Sequence, residues 1–412
     1  MSSTVTWRSS SNGGSGPRSP APLSISRGPS LPLDGHEDAP LPTGTRCIYI
    51  CDWLPPDFGA VGQYSLQFAR ERADQGQDVL LVGFSSRQSS REIEHCGSGR
   101  LTIRRLKVRA YDKTRLLHRC WWTLLVNLRL LFRLTPRFPW TDEIVFTGSP
   151  PFMVHWVAPL GRLFGCRVIY RITDFYPECL MAACRRVPLA LRCLYAVTLF
   201  WRRRVSVLEV LGEDQRQRLL EAGLSPERIR LKRDPAPVAI DETTQPLDPP
   251  FELANQVVLL YSGNLGVAHD VDTFAHAYIR HHKEGTGRVL LWLNAVGSGA
   301  AALAARLREA NVPVVVTTPV PLERLASLLV TPHAHLITLR NEFSGFVMPS
   351  KVYGCLDSGK AVVYIGPKSS DVHMLCTSRL PADQYHQVEV GDSAGALAAL
   401  EALADSRELV AS

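Results

Sequence analysis

The chain has 412 residues, which is long for one hydrophobic core and suits two domains. Its 46 Lys and Arg against 39 Asp and Glu give a net charge of +7. This scattered excess carries no basic-aromatic motif, so it argues against nucleic acid and suits anionic small molecules or an anionic membrane surface. The ten cysteines show no C-x-x-C spacing, which argues against a metal or redox site and predicts a reducing, cytoplasmic compartment.

The first 43 residues are rich in Ser, Gly and Pro and poor in large apolar side chains. Such a segment buries too little surface to offset the entropy lost on ordering, so we predict a disordered tail over residues 1–43. No run of 18 or more uncharged apolar residues follows, and a membrane-spanning helix is therefore not predicted.

Two parts of the chain share one plan, in which a buried strand is followed by glycines, a helix and a second strand. The first begins with strands at Arg46–Trp53 and Val79–Phe84, and the second with strands at Gln256–Tyr261 and Arg288–Val296. Strand, glycine turn, helix and strand open a parallel doubly wound unit. Further strands are predicted at Glu143–Thr147, Arg167–Ile172, Val312–Val316, His335–Leu339 and Ala361–Ile365, with a helix at Ala394–Ala404.

The repeated plan predicts an α/β protein with two Rossmann-like domains facing each other across a cleft. A proline-rich stretch separates the two parts, so we assign residues 44–237 to the first domain, 238–255 to a linker and 256–412 to the second domain. Ligands of such domains lie at the carboxyl ends of the strands, against helix N-termini.

The segment Phe343–Gly359 contains a candidate phosphate site. Pro349 suits a first helical position, which would put Ser350 and Lys351 in the first turn. A lysine there opposes the helix dipole unless it binds an anion such as a diphosphate. The segment alone leaves open that Lys351 is an exposed lysine at a helix start.

Glycines follow the opening strand of each part. Gly263 and Gly266 flank a predicted turn that would let the backbone approach a ligand, or that is only a turn. Asp270 and Asp272 match a D-x-D metal pattern, but helix capping is the stronger interpretation. The loop from Gly59 to Gly62 would likewise let a sugar approach the first domain.

Asp174 follows the predicted strand Arg167–Ile172. It has two interpretations: a carboxylate that orients a sugar hydroxyl or stabilises positive charge, and a helix cap before Pro177.

Residues 115–133 carry a stripe of arginines at helical spacing among Leu, Trp and Phe. The pattern fits an interfacial helix on anionic lipid or an ordinary buried helix with a solvated edge. The basic run at residues 200–204 after an apolar stretch favours peripheral contact with an anionic membrane.

The stretch YICDWLPPDFGAVGQYSLQFARERADQGQDVLLV resembles the opening of family-4 retaining glycosyltransferases with the GT-B fold. LYSGNLG, FVMPSKVYG and RITDFYPE are similar to their bacterial cell-surface polysaccharide branch. The resemblance runs from about residue 46 to about residue 376.

This resemblance implies metal-independent transfer, with retention, from a nucleotide-sugar to a saccharide or polyprenyl-linked acceptor, in exopolysaccharide, O-antigen or capsule biosynthesis. No cofactor beyond the donor substrate is implied. Asp174 and Lys351 are the expected catalytic residues. The expected donor-binding residues are Gly62, Gly263, Asn264, Gly266, His269, Glu342, Pro349, Ser350, Lys351 and Tyr353.

Three features depart from the family. Asn264 and His269 follow the glycine loop where many members carry basic residues, and Thr173 stands where the family often has His. Gly354 stands where many members carry the second, ribose-binding glutamate of a pair, and Glu342, upstream of the usual first glutamate, is the candidate substitute. The alternatives are a catalytically degenerate transferase-like subunit, which Gly354 favours, and a sugar-nucleotide epimerase with acid/base carboxylates or histidines. A nicotinamide oxidoreductase is disfavoured because G-x-G-x-x-G follows neither opening strand.

Overall fold

The computed structural model describes residues 44–57, 60–109, 116–249, 251 and 256–406, without the side chains of residues 60 and 116–120. The predicted tail, Gly59, Arg115 and part of the predicted linker lie outside these residues.

The first sheet has eight strands in the order β3-β4-β2-β1-β5-β6-β7-β8. The strands are β1 (Arg46–Trp53), β2 (Asp78–Ser85), β3 (Ser90–Cys96), β4 (Gly99–Lys107), β5 (Glu143–Thr147), β6 (Arg167–Ile172), β7 (Val207–Val210) and β8 (Ile229–Leu231). All neighbours pair parallel except β3 and β4, which form an antiparallel hairpin at one edge.

The second sheet has six strands, all parallel, in the order β11-β10-β9-β12-β13-β14. The strands are β9 (Val257–Asn264), β10 (Val289–Val296), β11 (Val314–Thr317), β12 (Ala334–Thr338), β13 (Ala361–Ile365) and β14 (Tyr385–Val388). The predicted linker lies between β8 and β9.

Each sheet with its helices is called a lobe below: the first lobe contains β1–β8 and the second contains β9–β14. Helices connect the strands in both lobes. They are α1 (Ala60–Asp74), α2 (Leu116–Leu134), α3 (Val154–Leu163), α4 (Glu178–Ala182), α5 (Leu189–Arg202), α6 (Glu213–Glu221), α7 (Asp272–Glu284), α8 (Ser298–Glu309), α9 (Leu325–Val330), α10 (Lys351–Asp357), α11 (Asp371–Arg379) and α12 (Ser393–Ser406). None of those in the described ranges has the length and apolar character that a membrane crossing requires.

Both faces of the first sheet are buried, as its apolar strands predict. Along β1, Ile48 and Ile50 belong to one hydrophobic cluster, whereas Cys47, Tyr49 and Cys51 belong to a second. Because successive side chains of a strand point to opposite faces, the two clusters lie on opposite sides of the sheet. Helices cover both sides, as the predicted doubly wound architecture requires.

Three local predictions are wrong. Gly263 and Asn264 are the last residues of β9 instead of a turn, because their backbone continues the parallel pairing with Ala295 and Val296 of β10. Gly62 lies in the first turn of α1 instead of a loop.

Pro349 is not the first helical residue either. Helix α10 begins two residues later, at Lys351, with Ser350 as its N-cap.

Candidate functional site

In doubly wound sheets a crevice forms at the carboxyl ends of the strands, at the point where the connections diverge to opposite sides. In the first sheet this point lies between β1 and β5, and in the second it lies between β9 and β12. The candidate residues therefore have to be judged by their positions at these strand ends.

At the end of β9 the backbone is open. Gly263 has φ +116°, and a Cβ added there would meet no atom within 4 Å. That φ favours glycine, and the open side leaves its backbone accessible to a ligand. Asn264 is exposed, and its carbonyl accepts a hydrogen bond from the Tyr261 hydroxyl (3.2 Å). Gly266 follows on the same loop.

Lys351 extends toward the same place. Its Nζ lies 3.1 Å from the centroid of the Tyr261 ring, and no group in the described ranges forms a hydrogen bond with it. Burial lowers the pKa of this ammonium to about 7. A buried, unpartnered ammonium is costly for the fold, and an anionic ligand is the simplest physical reason to keep it.

His269, on the loop after β9, contacts the end of β12. Its Nδ1 lies 2.6 Å from the Thr338 carbonyl at the end of β12, and a carbonyl only accepts, so Nδ1 carries the proton. Burial and the nearby charge of Lys351 lower the pKa of His269 to about 4. The imidazole is therefore neutral at pH 7 and adds no positive charge to the site.

The first crevice contains two carboxylates. Asp174 follows β6, and burial together with the charge of Asp52 raises its pKa to about 6. Asp52, in β1, accepts a hydrogen bond from the Ser149 hydroxyl after β5 (2.7 Å). Helix α4 begins only at Glu178, with Pro177 before it, so the helix-cap interpretation of Asp174 is wrong.

The two lobes meet beside these residues. Asp174 forms an antiparallel bridge with Val347, and the Phe175 N–H donates to the Phe346 carbonyl (3.0 Å). Val347 precedes Lys351 by four residues. The two predicted catalytic residues, Asp174 and Lys351, are thus on segments that contact each other.

A partly buried ion pair also joins the lobes. The Arg233 guanidinium donates two hydrogen bonds to Asp371 at the start of α11 (2.7 and 3.1 Å). Asp371 is fully buried, and its Oδ1 accepts a third bond from the Glu213 N–H (2.9 Å). This contact fixes α11 against the first lobe beside the crevices.

Other predicted donor residues have different surroundings. Tyr353 is buried, and its hydroxyl donates to the Leu211 carbonyl of the first lobe (3.4 Å), so it contacts the other lobe. Glu342 is exposed in a short 3-10 helix. Gly62 packs so closely that an added Cβ would lie 1.8 Å from the Trp53 carbonyl, which explains this glycine by helix–strand packing.

Gly354 packs against the Leu329 side chain. A Cβ added there would lie 2.9 Å from the Leu329 side chain and 3.6 Å from Pro237. A larger side chain at this position would have to displace the end of the Leu329 side chain, and glycine itself offers no side-chain contact to a ribose.

Asp270 and Asp272, the two acids of the D-x-D pattern, both interact with other residues of the second lobe. Asp270 accepts a hydrogen bond from the Thr273 N–H in the first turn of α7 (3.1 Å), which confirms its capping interpretation. Asp272 pairs with Arg306 (2.8 Å). Among the described residues, no group of three or more His, Cys, Asp or Glu side chains is placed to hold a metal ion.

Sequence reasoning missed Asp52 and Ser149. Both lie where β1 and β5 end, at the switch point of the first sheet. Their positions at the ends of predicted strands were the available signal. The strand order, which brings β1 beside β5, was needed to select them.

Neither a family model nor a curated protein sequence matches the chain. Solved structures do. A trehalose-6-phosphate protein from E. coli bound with UDP-2-fluoro glucose is 14% identical, with a TM-score of 0.58, over 89% of this chain and 92% of that one. WaaG, a glycosyltransferase involved in lipopolysaccharide biosynthesis, is 13% identical, with a TM-score of 0.57, over 88% and 91%.

A putative UDP-N-acetylglucosamine 2-epimerase from Listeria monocytogenes is 10% identical, with a TM-score of 0.52, over 89% of both chains. At such identities these likenesses show the fold. The chain has the GT-B architecture of two Rossmann-like lobes, as its sequence predicts.

Proposed function

We propose that this protein is a glycosyltransferase that moves a sugar from a nucleotide-sugar to a saccharide or polyprenyl-linked acceptor. The observation that carries the proposal is the buried, unpartnered Nζ of Lys351 at the switch point of the second sheet. Enzymes of this architecture that the fold resembles include one bound to a UDP-sugar.

The donor's diphosphate would lie between the open backbone of Gly263 and the start of α10. There the backbone N–H groups at the start of α10 and the Lys351 ammonium would face the same anion. Both stabilise the diphosphate as it leaves, which lowers the barrier without a metal ion. Ser350, at the N-cap, adds a hydroxyl donor whose side chain makes no capping bond.

The sugar would lie toward the first lobe, where Asp174 is held against the second lobe by the bridge to Val347. An ionised Asp174 would orient a sugar hydroxyl or stabilise positive charge that develops on the departing sugar. We further propose retention of anomeric configuration and a role in bacterial cell-surface polysaccharide synthesis, both of which rest on the family resemblance.

We place the reaction in the cytoplasm, at the inner face of the cell membrane where a polyprenyl-linked acceptor would be available. The nine cysteines whose side chains the structure describes are all free thiols, which suits a reducing compartment.

The proposal is tested by incubating the purified full chain with a panel of UDP-, GDP- and dTDP-sugars without acceptor. A glycosyltransferase hydrolyses its own donor slowly, and one donor should raise the melting temperature. Release of nucleoside diphosphate by wild type but not by Lys351→Met supports the proposal, with Lys283→Met as a control at an exposed lysine of α7. No thermal shift with any donor would contradict the donor site.

Two other activities differ in their products. The Asp52–Asp174 pair, with its raised Asp174 pKa, favours an acid/base epimerase as the second candidate. Such an enzyme would invert a sugar carbon of the donor, which NMR of the product detects. A degenerate subunit, which Gly354 favours, would bind the donor without turnover.

A further inference from the structure

Helix α2 is apolar on both of its long sides. Its inner side, with Val126, Leu130 and Leu134, packs in the core of the first lobe. Its outer side presents Trp121 (60% exposed) and Phe132 (79% exposed) to solvent. Soluble proteins rarely leave such large side chains exposed along one helix unless the surface binds something.

The same layer of helices continues the exposed apolar surface. Trp140, at the end of the 3-10 helix that follows α2, is 69% exposed, and Leu163 ends α3 with 74% exposure. Helix α5, which packs beside α3, begins with Leu189 and carries Phe200 near its end, both exposed. Helices α2, α3 and α5 all pack on one hydrophobic cluster, so they cover one side of the sheet.

Arginines accompany this apolar surface. Arg129, Arg133 and Arg137 are exposed along α2 and the 3-10 helix. Burial lowers the pKa of Arg104, and the like charges of the nearby Arg137 and Arg133 lower it further. Repelling arginines of this kind favour an anionic partner.

The segments that build this layer lack acidic residues. Residues 116–141, 144–173 and 179–208 contain no Asp or Glu. The outer surface formed by α2, the 3-10 helix, the end of α3 and α5 is called the basic apolar face below. It combines bulky apolar side chains that enter lipid with guanidinium groups that bind headgroup phosphates.

A second copy of this chain is disfavoured as the occupant. A two-fold symmetric contact would set the basic apolar face against itself and bring arginines of both copies together. We propose that the basic apolar face docks the protein on the surface of an anionic lipid bilayer. The inference does not rest on the proposed transferase activity, because it concerns the outer side of the first lobe.

The test is flotation of the full-length protein with vesicles of phosphatidylcholine alone, or with roughly one-third phosphatidylglycerol. Wild type should bind the anionic vesicles about tenfold or more tightly than the neutral ones, and higher salt should release it. Trp121→Ser with Phe132→Ser, and Arg133→Gln with Arg137→Gln, should each reduce binding about tenfold.

Matched controls lie in the second lobe. Val316→Ser with Leu322→Ser removes two exposed apolar side chains, and Lys283→Gln with Arg308→Gln removes two exposed charges. Both controls should bind vesicles like wild type, and every variant should keep its melting temperature. Equal flotation of all variants, or no preference for anionic vesicles, would overturn the proposal. So would a dimer in sedimentation velocity that only the face variants dissociate.

Discussion

Replacing Lys351 with methionine should stabilise the protein while it weakens donor binding. Methionine matches the length of the lysine stem and places no charge against the Tyr261 ring. The pKa of Lys351 falls from 10.5 to about 7 because its ammonium is buried. At about 1.4 kcal/mol per pH unit, that shift limits the stability gained by removing the charge to about 5 kcal/mol.

The measured gain should be smaller. The site relaxes and admits water, and the substitution also loses the attraction between the ammonium and Tyr261. We expect Lys351→Met to raise the free energy of unfolding by about 1–3 kcal/mol at pH 6.

The gain should depend on pH in a defined direction. Between pH 7 and 10.5 the unfolded lysine is protonated and the folded one is not, so unfolding takes up a proton there. The stability of wild type therefore rises with pH across this window relative to Lys351→Met. The difference between the two should be largest below pH 7 and should shrink toward pH 10.

The assay is thermal or urea unfolding of both proteins from pH 6 to pH 10, with Lys283→Met as the exposed control. A Lys351→Met protein that melts below wild type at pH 6 would refute the reasoning. That result would mean that the folded protein stabilises the Lys351 ammonium.

Three further outcomes are expected. Donor binding at pH 8 should take up a proton at Lys351, measurable by calorimetry in buffers of different ionisation enthalpy, and Lys351→Met should lose this uptake. The value of kcat/KM should fall below about pH 6, where Asp174 becomes protonated. Asp174→Asn should lose this pH dependence and reduce kcat about 100-fold. If the variant kept the same fall below pH 6, a group other than Asp174 would be responsible for it. Gly62→Ala should destabilise the protein by about 2 kcal/mol or more in urea unfolding, since its Cβ would lie 1.8 Å from the Trp53 carbonyl oxygen. Gly263→Ala should weaken donor binding and also lower stability, because φ +116° is strained for alanine.

Much of the fold follows from local sequence. Strands β1, β5, β6 and β13 match their predicted bounds to the residue, because each is a short apolar run bounded by polar residues or turns. The hairpin β3–β4 was not predicted, since β3 is largely exposed and lacks an apolar pattern. Helix α3 was not predicted either, because Pro159 and Gly161 lie within it and its helical conformation depends on tertiary packing.

The site was less predictable. The glycines and Lys351 could be singled out because their residue types are unusual at a strand end and a helix start. The burial of the Lys351 ammonium, the neutral state of His269 and the proximity of Asp52 to Asp174 depend on how two distant parts of the chain pack. Local patterns hold no information on such contacts.

The central claim is that Lys351 binds the diphosphate of a nucleotide-sugar at the switch point of the second sheet. Calorimetric titration of UDP, GDP and dTDP, and of the matching nucleosides, into wild type and Lys351→Met tests it most directly. One nucleoside diphosphate should bind wild type about 10- to 100-fold more tightly than the variant, whereas its nucleoside should bind both alike. Equal affinity of that diphosphate for both proteins would contradict the claim.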